Sequence, residues 1–136
     1  MPVLSFFCLA FAVVGLRHVI EKRAQEKREV AYQRTLHSYS DILRPGLSRT
    51  ELEDYLKSKD IRFRQMCCVN RKALSQNVYD DLVKIGQEDA PWFCSENNVY
   101  IAFQFAGQRT NASWPAAVAN DRLTDISIFR WLESCV

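Results

Sequence analysis

From Pro2 to Leu16 the chain carries no charge (PVLSFFCLAFAVVGL), and the pattern then changes abruptly. A helix over that run rises about 22 Å, short of the ~30 Å hydrocarbon core of a bilayer. Val19 and Ile20 resume the apolar character after Arg17 and His18. With Arg17 reaching back to the headgroups, the span extends to Ile20 and about 28 Å. The pattern predicts a membrane-spanning signal-anchor over residues 1–20. A cleaved signal peptide fits less well: Ala10-Phe11-Ala12 is small-x-small, but no Lys or Arg precedes the apolar run. Phe6 and Phe7 are bulky where a lipidation signal at Cys8 would need small residues.

Glu21 to Glu29 reads EKRAQEKRE, with Ala24 its one apolar residue. No Gly or Pro stands between Leu16 and Arg44, and Lys22 and Arg23 lie four and three residues before Glu26, so a solvated helix is predicted. This gives a charged helical stalk over residues 21–35. Apolar positions return at helical spacing at Val30, Ala31, Leu36, Tyr39, Ile42 and Leu43, a face suited to docking, until Pro45-Gly46 stops the helix. Ser48 and Glu51 then form a capping box, and Leu47 and Leu52 a hydrophobic staple, for a helix from Arg49 to about Lys59. Strand patterns follow over Ile61–Met66, with Ile61 and Phe63 inward, and over Asp81–Glu88 and Asn98–Ala106. The last strand covers Leu123–Leu132, beyond a long loop, Gly107–Arg122, that holds Trp114-Pro115. Residues 36–136 thus read as an α+β domain in two layers, helices on a three- to four-stranded antiparallel sheet.

Charge and cysteines add the compartment. Net charge is +2, too little for a field that would favour nucleic acid. Arg17, Lys22, Arg23, Lys27 and Arg28 follow the span, which by the positive-inside rule places the domain in the cytoplasm. The cysteines point the other way. Cys67, Cys68, Cys94 and Cys135 are an even set in a small domain, as in disulfide-stapled extracytoplasmic proteins. A bridge between adjacent Cys67 and Cys68 is strained, so each is expected to look outward to Cys94 or Cys135. On balance the reading is a single-pass protein whose domain lies outside the cytoplasm.

The run ILRPGLSRTELEDYL, with the later strands VYIAFQF and LTDISIF, resembles the BamE/SmpA outer-membrane assembly lipoprotein domain. That family opens its helix–helix–strand–strand–strand pattern with a Leu-x-x-Gly-Met-Thr-x-x-Glu-Val motif. Leu43, Gly46, Leu47, Ser48, Glu51 and Leu52 stand at the corresponding places, and the resemblance spans residues 36–132. It departs where Lys59-Asp60 replace a Gly-x-Pro, in the four domain cysteines and in the missing lipidation signal. The resemblance implies a non-enzymatic envelope protein that acts through protein contacts.

No catalytic set accompanies this. The cysteines lack zinc-site spacing; His18 and His37 both lie on the first helix; only four glycines are present, with no phosphate-binding loop. The acidic pairs Asp80-Asp81 and Glu88-Asp89 are adjacent in sequence, so their side chains point apart. Asn111-Ala112-Ser113 fits a glycosylation sequon. The expectation is a membrane-tethered binding or scaffold protein that partners another envelope protein and uses no cofactor, metal or small-molecule substrate. Trp92 and Trp114 are the candidate contact residues. The alternative is a thiol-active protein using Cys67 or Cys68 with Cys94, near Arg62, Arg64 and Arg71.

Overall fold

In the computed structural model the described residues are 3–67, 69, 78–108 and 117–136, with the side chains of residues 3–12 excepted. Trp114, Cys68, Arg71, the sequon and half of the 107–122 loop lie outside them. The chain divides into two compact units, Met1–Gln33 and Arg34–Val136. The first is a single helix, the N-terminal part of α1 (Val3–Ile42). Among the described residues no helix is long and apolar enough to cross a membrane. The side chains of residues 3–12, half of the expected span, are outside that description.

The second unit is α+β. It holds the end of α1, then α2 (Arg49–Ser58) and a sheet of β1 (Arg64–Met66), β2 (Asp80–Glu88), β3 (Cys94–Ala106) and β4 (Arg122–Cys135). The strands run in the order β1-β2-β3-β4, each antiparallel to the next. The predicted strand at Ile61–Met66 shrinks to three residues. Ile61 and Phe63 still turn inward, but they pack on the core from the connection after α2 rather than from a strand. Both later strands run past their predicted ends, β3 back to Cys94 and β4 on to Cys135.

The helices of this unit cover one face of the sheet. Leu43, Leu52 and Leu56 pack with Val83, Ile101, Phe103, Phe105 and Leu123, and Leu36 and Tyr39 from the end of α1 close over them. Tyr39 meets Phe103 edge to face at 5.4 Å. Alternate residues of β3 supply this layer, as period-two patterning requires. The expected capping box forms: the Ser48 side chain accepts from the Glu51 amide, and the Ser48 amide donates to Glu51 Oε2 at 2.9 Å. Gly46, at φ 94°, turns the chain so that its amide donates to the Leu123 carbonyl, while the Leu123 amide donates to the Leu47 carbonyl. The α1–α2 connection is thereby stitched to the start of β4.

The far end of α2 shows how the chain manages without a glycine. Asp60 takes a left-handed conformation (φ 55°), its amide donates to the Lys57 carbonyl, and the Ile61 amide donates to Leu56. That is a Schellman cap, with Ile61 and Leu56 in its hydrophobic contact.

Candidate functional site

Among the described residues of this unit no helix lies on the second face of the sheet, which curls into a cleft of about 330 Å³. Leu82 and Tyr100 line it and pack with Ala102, Phe129, Trp131 and Met66. These residues alternate with the core set of β2, β3 and β4, so the pleat that fills the core also fixes this surface. Arg64 projects from β1 over the cleft. Its guanidinium lies 4.8 Å from the centre of the Tyr100 ring and 5.8 Å from that of Trp131, and it pairs with Glu133 near the end of β4. β1 and β4 are opposite edges of the sheet, so this ion pair spans the curl. The Tyr100 hydroxyl donates to the same Glu133 carboxylate at 3.2 Å.

The electrostatics follow from that arrangement. Arg64's hydrogen bond to Glu133 holds that carboxyl below its ordinary range, and burial pushes the Tyr100 phenol up. Glu133 is therefore an ionised acceptor and Tyr100 a neutral donor at physiological pH. Lys84 and Arg62 add positive charge to the rim, and Glu96 adds negative charge. Asn98 sits in the same wall, 1% exposed, donating to Glu96 Oε2 at 2.7 Å while its Oδ1 has no partner. The cleft thus offers donors and acceptors of both signs around an aromatic floor. Among the described residues it holds no aligned nucleophile and base.

Of the two candidate tryptophans, Trp92 is 96% exposed, stacked edge to face on the exposed Phe93 at 5.8 Å. The pair caps the β2–β3 connection. Trp114 is outside the described residues.

The cysteines are arranged differently from expectation. Cys94 is bridged to Cys135, its register partner across β3 and β4. Cys67 is also disulfide-bonded, so its partner is neither of these. The expectation that Cys67 and Cys68 reach to Cys94 or Cys135 fails because β3 and β4 extend far enough to place their terminal cysteines face to face. Pro91-Trp92-Phe93 is consequently pinned to the end of β4, not to β1, and the Val136 amide donates to the Phe93 carbonyl at 2.8 Å. In this arrangement Cys94 is bonded to Cys135 and not to Cys67. Among the described residues no group of three His, Cys, Asp or Glu is placed to hold a metal.

A buried polar cluster behind the core is the feature that sequence reading missed. Arg49, 2% exposed, donates to Asp81 Oδ1 at 2.5 Å, to Asp121 Oδ2 at 3.2 Å and to the Tyr79 carbonyl, with its guanidinium 3.9 Å from the Phe105 ring centre. Asp80 points to the other side, accepting the amides of Val69 and Phe105 at 2.8 and 3.2 Å. The two aspartates do point apart, as adjacent strand residues must, yet both are fully buried. Burial raises Asp81 to about 7, more than Arg49 offsets. The cluster ties the first turn of α2 to β2 and to the turn at 118–121, and within it Asp81 Oδ2 is buried with no hydrogen-bond partner.

No protein-family model, curated protein or solved structure matches this chain.

Proposed function

We propose that the protein is a membrane-tethered, non-enzymatic binding or scaffold module of the cell envelope, built on a BamE/SmpA-like domain. Residues 1–20 serve as its anchor and the domain lies outside the cytoplasm, with the Cys94–Cys135 cystine in favour of an oxidising compartment. The observation that carries the reading is the concave sheet face opposite α2. There Tyr100 and Trp131 lie under Arg64, and both ion-pair partners bridge opposite edges of the sheet. Tyr, Trp and Arg are the residue types that dominate protein-interface energetics. Trp92, stacked on Phe93 at the end of the same sheet, offers a second anchor.

The test is a photo-crosslinking residue placed at Lys84 and, separately, at Trp92 in the full chain in its native membrane. Both positions should capture the same envelope protein. With the crosslinker at Lys84, Trp92→Ala should weaken capture, and with the crosslinker at Trp92, Lys84→Glu should do the same, while each protein still resists extraction by alkaline carbonate. Release by carbonate from the unmodified protein removes the tether, and capture that survives both substitutions removes the surface.

A further inference from the structure

We infer that the cleft on the second face of the sheet receives the free C-terminal end of a peptide chain, with its α-carboxylate held by Lys84 and Arg62 and its last backbone N–H donated to Asn98. This rests on the reading of that face as the partner surface, and it names what the partner presents there. The cleft, about 330 Å³, is lined by described residues throughout.

Its charges are not all used within the fold. Arg64 pairs with Glu133, which also accepts from the Tyr100 hydroxyl, and Glu96 accepts from the Asn98 side chain at 2.7 Å. Both carboxylates of the cleft therefore have their donors. Lys84 and Arg62 are exposed, and among the described residues neither takes part in an ion pair. The surplus is positive and calls for an anion.

Asn98 sets the second requirement. It lines the cleft yet is 1% exposed. Its Nδ2 donates to Glu96, so a reversed amide would set two oxygens against each other, and the orientation is fixed. Oδ1 is then a buried acceptor without a partner, a costly arrangement that an N–H would relieve.

A chain terminus carries both groups on one residue, an α-carboxylate and an N–H. Inorganic phosphate brings no N–H, and it sets up to two negative charges beside Glu96 and Glu133. A fatty acid has the carboxylate but no donor. Phe63, Leu82 and Tyr100 also line the cleft and give an apolar bed for the terminal side chain. Because Asn98 is buried, the entering chain must displace a long rim side chain to reach it, and the NMR signal of the Asn98 side-chain amide reports that contact.

The test titrates the full isotope-labelled chain, in a nonionic detergent, with acetyl-Ala-Ala-Leu. The Asn98 side-chain amide should shift saturably, with a Kd below about 1 mM. The same peptide ending in a carboxamide, octanoate and inorganic phosphate should each bind at least about tenfold more weakly. Arg62→Gln with Lys84→Gln, at two exposed positions, should weaken the free acid by about tenfold. Asn98→Leu should weaken it as well; if that variant does not fold, the exposed pair still decides. No saturable shift, equal binding of the carboxamide, octanoate or phosphate, or unchanged affinity in the double variant would each overturn the inference. The peptides need no envelope partner. Their failure with crosslinking at Lys84 intact removes the carboxylate and keeps the surface, whereas their binding without any capture supports the site and removes the envelope partner.

Discussion

At the scale of single residues, the buried cluster around Arg49 sets the clearest expectations. Replacing one member of a buried ion pair leaves the other charge desolvated and unpaired, at a cost of about 3–5 kcal/mol. Arg49→Met strands Asp81 and Asp121 together and should destabilise the protein by that amount in urea unfolding at neutral pH. The pH dependence has a definite sign. Asp81 has its folded pKa raised to about 7, above its unfolded value near 4. The folded state therefore holds that proton more tightly, and stability from this group is fully present below about pH 4 and lost as pH rises through about 7. Asp81→Asn cannot titrate. Its stability relative to the unmodified protein should improve as pH is raised across that window, and a flat difference would mean that Asp81 is ionised throughout. None of this was legible in the sequence. Arg49 is the first residue of α2, a position that reads as solvent-facing, and Asp81 and Asp121 are brought to it only by the register of β2 and the turn before β4. The cleft was half legible: Tyr100 and Trp131 fall on the second face by alternation alone, but the reach of Arg64 to Glu133 depends on the curl of the sheet.

At the scale of elements, α2 was readable because its signals are local. Ser48, Glu51 and Leu47 sit within a few residues of the helix they start, and the structure returns both the capping box and the inward staple residues. Ser48→Ala should cost about 1 kcal/mol. The other end of α2 was less legible, since Lys59-Asp60 lacks the glycine that marks a cap, and only the φ of 55° shows Asp60 doing that work. Left-handed backbone penalises any residue with a Cβ, so Asp60→Gly should raise stability by about 0.5–1 kcal/mol. Gly46, at φ 94° with open space around it, is the converse: Gly46→Ala should lower stability by about 1 kcal/mol through backbone strain alone, with no clash to relieve. Thermal unfolding of these three variants separates the cases. β1 was over-read because Ile61 and Phe63 alternate as a strand would. Their inward direction is right, but the Schellman cap places Ile61 against Leu56, so the chain is still leaving the helix there.

At the scale of the whole molecule, the Cys94–Cys135 bridge couples fold to compartment. Its pairing could not be read from spacing: it depends on β3 and β4 both running beyond their apolar cores until Cys94 and Cys135 become register partners. The bridge closes a sequence separation of 41, for which loop-closure entropy gives about 4 kcal/mol of stabilisation in the chain-entropy account. The strands it joins are already held by the β3–β4 ladder, so the loss on removal should fall chiefly on the denatured state. Cys94→Ser with Cys135→Ser should therefore lower unfolding free energy by about 2–4 kcal/mol, with near-unchanged circular dichroism at low temperature. The same bridge fixes Phe93 against Val136 and so holds Trp92 in position at the end of the sheet. Capture of a partner at Trp92 should accordingly fall in the doubly substituted protein, while capture at Lys84, in the cleft wall on β2, should persist. If both are lost together, the bridge supports the entire domain; if neither changes, the tip at Trp92 is held by the strand ladder and the Val136 hydrogen bond without it.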